Sequence, residues 1–467
     1  MTMRGRHTVE KIGGTSMTRF KEVMENVIIG NRAATELYNR VFVVSAYGGI
    51  TNLLLENKKN GTPGVYGRFA RGENWEEALE TVRTRMMEYN QSFESIGLDV
   101  AEANAFINQR LDEVHACIKD MVRLFSYGHF KQSNYLPPSR EILAAIGEVH
   151  SAFNSTQILR SHGINATFVD LSGWMDTEIH SFEEMIRRHF ENIEFSKELP
   201  IVTGYVKFNE GIMRRFDRGY SEITFSKIAV MTNAMEGIIH KEYHLSTGDP
   251  VLIGPDKVKV IGNINFDIAD QLADLDMEAI HSKASKEMEL CDIPIRVKNA
   301  FQPDHPGTLI QRTYVSPEPN VDIICGRDDL VALEVTDPEM VGLSGYDHRL
   351  LAHFQKRGIS YIAKNVNANT ITHFVHDKDN LLPGLAEVLD QEFPGAKVSL
   401  RDVAIVCVIG SNLKDSQIVA RSAKALADDK IDILAVGQTM PRVNLQFIVD
   451  RAQFDASQFA LHRAFFE

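Results

Sequence analysis

Residues 8–12 (Thr-Val-Glu-Lys-Ile) have the composition of a short strand, and Gly13-Gly14-Thr15-Ser16 stops it. A helical pattern follows through Phe20, Val23, Val27 and Ile28. The construction then returns. Residues 41–46 form a continuous, largely β-branched apolar run of the kind buried on both faces of a parallel sheet, and Gly48-Gly49 ends it before Ile50-Thr51-Asn52. Strand, glycine turn and helix, twice over, predict an α/β fold. Its open, mostly parallel sheet should carry helices on both faces and gather ligands at the carboxyl ends of the strands.

The rest of the chain extends this pattern and then changes it. Residues 56–135 are charged and helix-patterned, with amphipathic stretches at 75–89 and 101–125, and read as a helical insertion over one face of the sheet. Pro137-Pro138 ends it, and 139–159 reads as another helix. Strands are expected at 166–170, 200–205, 237–240 and 294–297, the last closing the domain, with a helix from 222 to 231. The composition shifts at 313–328, where VSPEPN and GRDD look like linker. Beyond it, two rounds of βαββα follow, each a ferredoxin-like half-barrel. The first uses 330–335, 346–356, 359–364, 370–375 and 380–392, with a short strand at 397–400. The second uses 403–409, 418–428, 431–436, 444–449 and 456–466 and lacks a sixth element. The spare strand at 321–324 supplies it, so the first module is inserted within the second. The expected domains are 1–312, a linker with swapped strand at 313–328, and modules at 329–400 and 401–467. Two small sensors behind an α/β domain imply regulation by a small molecule.

Composition narrows the partners. The 467 residues give a prior of roughly three domains. Lysine and arginine number 50 against 63 acidic residues, a formal charge of −13, which argues against nucleic acid and anionic membrane as partners. No apolar run is long enough to cross a bilayer, and the opening MTMRGRHTVEKIGG has no stretch of signal-peptide type. Cys117, Cys291, Cys325 and Cys407 form no CxxC pair, which excludes a disulfide framework and a cysteine zinc site. The expected location is the cytoplasm.

Three segments carry chemistry. Lys11 precedes Gly13-Gly14 at the end of the first strand; glycines let backbone N–H groups approach a phosphate, and a lysine neutralises transferring oxygens. The chain has no Gly-Lys dipeptide and so no P-loop, and it lacks the HRD and DFG triplets of protein kinases. A Gly-Gly turn with a surface lysine would give the same string. Asp217-Arg218-Gly219-Tyr220-Ser221-Glu222 enters a helix; Arg218 offers a planar fork for a carboxylate, while Ser221 and Glu222 also suit a helix start. Glu148, after Gly147, could pair with a substrate ammonium or simply be solvated. His240 and His244 have a metal-like spacing, but on a strand leading into a loop and without the HExxH order, so no protein metal ligand is expected.

In order and spacing these pieces resemble the aspartate kinases of the amino acid kinase superfamily, over nearly the whole chain. VEKIGGTSM resembles the opening VxKFGGTS, and VVSAYGGITNLLL the second glycine turn. IGEVHSAFNS resembles the GE helix, and TGY then RGYSE resemble TGF then GRGGSD. DIPIRVKNAFQPDHPGTLI resembles the domain-closing segment, and the tail the paired ACT domains, with GQTMPRVNLQFIV facing a ligand. The resemblance implies an amino acid kinase fold with two ACT domains. It implies γ-phosphoryl transfer from ATP to the side-chain carboxylate of L-aspartate, with Mg2+ riding on the nucleotide. Lys11, Gly13 and Gly14 would act on the transferring group. Arg218 would bind the α-carboxylate and Glu148 the ammonium. Ser45, Thr51, Gly219, Ser221 and Glu222 would complete the pocket. Thr15, His240, Lys241 and Ser246 would stand on the nucleotide side. An amino-acid effector would meet Gln438 and Asn444, and the ACT domains would form a homodimer or a higher homo-oligomer.

The departures are concentrated. Glu222 replaces an aspartate, Asp217 and Tyr220 replace glycines, and His240-Lys241, Ser246, Val251 and Glu278 replace the nucleotide-side Thr-Asp, tyrosine, arginine and lysine. This pattern looks like the branch associated with ectoine biosynthesis. Ile362, after Ile359-Ser360-Tyr361, and Val366-Asn367-Ala368 depart from lysine-sensitive relatives, so strong lysine feedback is not expected, while a neutral effector such as threonine fits better. Two rivals remain: a kinase of the same superfamily acting on glutamate or a carbamate, and an amino-acid-binding regulator with an inactive kinase domain.

Overall fold

The computed structural model describes residues 5–58, 60–217, 219–275, 277 and 280–467. It divides into two compact units, Met1–His244 with Ile280–Arg312, and Leu245–Ala279 with Thr313–Glu467. Arg218 and Glu278 lie outside the described residues.

Seven strands of the first unit run in the order Ala166–Val169, Leu199–Thr203, Arg40–Val44, Thr8–Ile12, Glu236–Lys241, Ile295–Asn299 and Thr308–Ile310. All neighbours are parallel except the last pair, which is antiparallel. The expected strands are present, but 295–299 does not close the domain. The turn after it returns the chain as Thr308–Ile310 alongside the same strand. Val41, Phe42, Val43 and Val44 are all essentially inaccessible, as a β-branched run covered on both faces should be. The helix Leu136–Ser161 packs on the strands 166–169 and 199–203, and Tyr220–Met231 packs on 8–12, 40–44 and 236–241.

The helical insertion consists of Val65–Arg71, Trp75–Ser92 and Val100–Ser126. Asn74 and Asp99 cap the two long helices by accepting from the N–H groups of Glu77 and Glu102. Leu79, Val82 and Met86 on one, and Ile107, Leu111 and Val114 on the other, are buried at the three-to-four residue spacing of a core-facing stripe. Pro137 and Pro138 occupy the first turn of the next helix, where a missing N–H costs nothing.

In the second unit six antiparallel strands run in the order Tyr361–Val366, Thr370–Val375, Ile323–Thr336, Lys397–Ile409, Asn444–Asp450 and Ile433–Gln438. The expected swap is present in a more continuous form. The spare strand and the first strand of the first module are one strand, and so are the segments expected at 397–400 and 403–409. Their register slips between Val403 and Ile405, where pairing passes from one module to the other. Each module keeps its own core. Leu333, Val335, Ile371 and Val375 pack with Tyr346, Leu350, Phe354 and Leu385. Val406, Val408, Leu445 and Phe447 pack with Ile418, Leu426 and Leu461. The segment 245–279 is tied into this unit: Thr247 O accepts from Ile324 N at 2.9 Å, and Gln271 accepts from the Asn444 amide at 2.9 Å. Among the described residues no helix is long and apolar enough to cross a membrane.

Candidate active site

The site forms where the first two strands end in their glycine turns. Gly14 and Gly147 are required there by close approach. A Cβ on Gly14 would stand 2.7 Å from Ala46 O, and one on Gly147 would stand 2.7 Å from Ala46 Cβ. Their absence lets the first turn and the Leu136–Ser161 helix close on Ala46 from two directions, which brings Glu148 to the turns. Ser151 fixes the same place by donating from Oγ to Ser45 O at 2.8 Å.

Five polar side chains meet there. Ser45 Oγ donates to Ser221 Oγ at 3.3 Å, and Ser221 Oγ donates to Glu148 Oε1 at 2.7 Å. Glu148 is 3% exposed, and its Oε2 makes no hydrogen bond of ordinary geometry among the described residues. Burial pushes its carboxyl up to about 8, against the weaker pull of the Ser221 hydroxyl, the Lys11 ammonium and the Tyr205 N–H. The free chain therefore holds Glu148 protonated at neutral pH. Lys11 Nζ lies 3.2 Å from Glu222 Oε1, and Glu222 Oε2 accepts from His281 N at 2.5 Å. Burial works against the Glu222 charge, but the Lys11 and Lys241 ammoniums and the His281 N–H outweigh it, and the carboxyl stays below its ordinary range. Two buried carboxyls in one pocket thus hold different protonation states because only one of them has a cation bonded to it.

The structure brings together Lys11, Gly13, Gly14, Ser45, Glu148, Ser221 and Glu222. Thr51 is half-buried on the helix after the second turn, and Thr15 is exposed after the first. Gly219 precedes Tyr220–Met231 with φ of 98° and has His281 at 3.2 Å from where its Cβ would be. Lys241 ends its strand within electrostatic reach of Glu222. The expected contribution of Arg218 falls outside the described residues.

Three of the expected placements stand apart from this cluster. The His240 imidazole turns away from Lys11. Its Nε2 is 2.7 Å from Glu10 Oε2, and it is buried with Glu10 on the sheet face opposite Lys11, because side chains alternate along a strand. Ser246 spends its hydroxyl on Gly248 O at 2.8 Å, within its own loop of the second unit. Gln438 and Asn444 lie on opposite faces of their sheet. Gln438 stands opposite Leu445, a core residue, so Asn444 points to the other face, where its amide meets Gln271.

Two polar clusters went unread in the sequence. Arg40 donates from Nε to Glu10 Oε1 at 2.6 Å, and from Nη1 and Nη2 to Ile28 O and Val27 O at 2.8 Å each. Glu242, one residue beyond the His240-Lys241 pair, accepts from Ser16 Oγ at 3.2 Å beside the first glycine turn.

Known proteins are similar to this chain in sequence and in fold. The amino acid kinase family matches residues 6–299. The chain is 47% identical over 464 residues to Aspartate kinase Ask_Ect of Stutzerimonas stutzeri, covering 99% of this chain and 98% of that protein. It is 23% identical to chloroplastic Aspartokinase 1 of Arabidopsis thaliana, covering 98% and 80%. In fold it is similar to the crystal structure of E. coli aspartokinase III in complex with aspartate and ADP, with a TM-score of 0.74 and 20% identity over 99% of this chain and 100% of that one.

Proposed function

The chain belongs to the aspartate kinases of the amino acid kinase family, and from that membership we propose how its pocket carries the ATP-dependent reaction. An oxygen of the aspartate side-chain carboxylate attacks the γ-phosphorus of ATP. A new P–O bond forms, the bond to the β-phosphate oxygen breaks, and its electron pair leaves with ADP. The nucleophile is already deprotonated, so the pocket needs no strong base. It must hold two anions in line and offset charge as it shifts.

Lys11 meets the transferring phosphoryl group, the Gly13 and Gly14 backbone lets it approach, and Glu222 holds the Lys11 ammonium in place. Glu148 takes the substrate ammonium and Arg218 its α-carboxylate, with Ser45, Thr51 and Ser221 beside them. Magnesium supplies charge neutralisation on the phosphates when bound with the nucleotide. The observation that carries this reading is the buried Glu148 beside an ionised Lys11–Glu222 pair at the strand ends. One carboxyl is free to meet a cation, and one ammonium is oriented toward anions.

The test is a steady-state titration of aspartate. Glu148→Gln and Arg218→Ala each raise the aspartate KM sharply, since each leaves a substrate charge without its partner. Parent saturation curves in both variants would overturn the assignment. We also read the chain as cytoplasmic and as a homodimer or higher oligomer through its C-terminal modules. Exposed Tyr361, Val366, Leu400 and Val436 on their strands support the association. The ectoine-type sequence pattern and the similarity to Ask_Ect favour a product that feeds ectoine synthesis.

A further inference from the structure

We infer that the Glu242 carboxylate, positioned by the Ser16 hydroxyl that donates to it, is the protein's own ligand for the divalent cation that accompanies the nucleotide at the Gly13–Gly14 turn. The inference rests on reading that turn as the phosphate site. Glu242 directly follows the strand Glu236–Lys241, which pairs in parallel with Thr8–Ile12, so both segments leave the sheet at the same edge. Gly13 N donates across the gap to His240 O at 3.3 Å and keeps the two segments together. The carboxylate is half-buried. Its Oε1 lies 3.9 Å from the point a Gly13 Cβ would occupy, and Lys11 Nζ lies 4.0 Å from that same point.

A phosphate drawn to Lys11 past Gly13 therefore meets a carboxylate. Lys11 is already bonded to Glu222, and no ion pair within salt-bridge distance neutralises Glu242 among the described residues. Two anions in that space repel unless a cation sits between them. Magnesium is held in such sites by one or two carboxylates together with phosphate oxygens, rather than by a cage of protein ligands. The half-buried Glu242 carboxylate, a hard oxygen donor, matches that demand. The only group of three or more metal-ligating side chains among the described residues is Asp176, Glu178 and His180, on the loop after another strand, and Arg188 occupies it by bonding Glu178 at 2.9 Å.

A structural role for Glu242 predicts something different. Glutamine also accepts from the Ser16 hydroxyl, so Glu242→Gln keeps the local contact and removes only the charge. The experiment is calorimetric titration of the full chain with ADP, in excess chelator and in excess Mg2+, for the parent, Glu242→Gln and Gly13→Ala. In Glu242→Gln, metal-free ADP binds at least as tightly as to the parent, and the gain on adding Mg2+ shrinks on the order of tenfold. An unchanged Mg2+ gain overturns the inference, and so does an equal loss of affinity with and without metal.

Gly13→Ala tests the premise. Gly13 has φ of −71°, and the nearest atom to its added methyl is His240 O at 3.7 Å, so the folded chain accommodates alanine. The methyl would stand in the phosphate path and weaken ADP binding in both conditions. Unweakened binding in Gly13→Ala overturns the phosphate reading, and the Glu242 assignment falls with it. Weakened binding there, beside a parent-like Mg2+ gain in Glu242→Gln, overturns the Glu242 assignment alone.

Discussion

Glu148 is a buried carboxyl whose bonded partner is the Ser221 hydroxyl. Its raised pKa of about 8 comes from burial, which its partners only partly offset. Aspartate's ammonium would supply the missing charge and pull the pKa down. Aspartate binding at pH 7 should therefore release about one proton from this residue. Calorimetry in two buffers of different ionisation enthalpy reads that number directly, and Glu148→Gln should release none. The same shift affects stability. The folded chain holds this proton where the unfolded chain has lost it, so the contribution is full below the ordinary glutamate range and is lost as pH rises through about 8. The stability of Glu148→Gln should fall less steeply across that window, as followed by denaturant unfolding at several pH values.

At the scale of elements, the Arg40–Glu10 pair joins the first two strands to the end of the helical segment between them. Glu10 is 2% and Arg40 6% exposed, and Arg40 also holds the carbonyls of Val27 and Ile28. Burial alone would raise the Glu10 carboxyl. The Arg40 charge and the bonds from His240 and Arg40 outweigh it, so Glu10 stays ionised. Arg40→Met should cost about 3–5 kcal/mol in denaturant unfolding, because it strands a buried charge, and adding Glu10→Gln should recover part of it. A loss below about 1 kcal/mol would place the pair among weakly contributing ones. Much of this level was legible in the sequence. Glycine after a β-branched run marks a turn by local chemistry, and the spare strand at 321–324 followed from counting elements. Arg40, Glu242 and the role of Gly147 were not legible, because each depends on which distant segment lies alongside. The orientation of His240 was not legible for the same reason. Position at a strand's end predicted a ligand, while the register that turns its ring to Glu10 is a property of the sheet.

The whole molecule pairs a catalytic α/β unit with two interleaved half-barrels, and that division sets what regulation can look like. Ile362 lies on the strand Tyr361–Val366 and offers nothing to a lysine ammonium. Millimolar lysine should leave the rate unchanged in an activity assay, and potent inhibition by lysine alone would contradict this. Threonine in the same assay tests a neutral effector; Gln438 and Asn444, expected to meet it, lie on opposite faces of their sheet. The role proposed for Lys11, at the Gly13–Gly14 turn, is to act on a phosphoryl group passing to aspartate. Trapping the acyl phosphate with hydroxylamine tests it most directly. The parent chain with ATP and aspartate should form aspartyl hydroxamate. Lys11→Met should form it on the order of 10²–10³ times more slowly, a loss of about 2.7–4 kcal/mol in transition-state stabilisation, with aspartate binding much less affected. Hydroxamate formed at the parent rate by Lys11→Met would contradict the account.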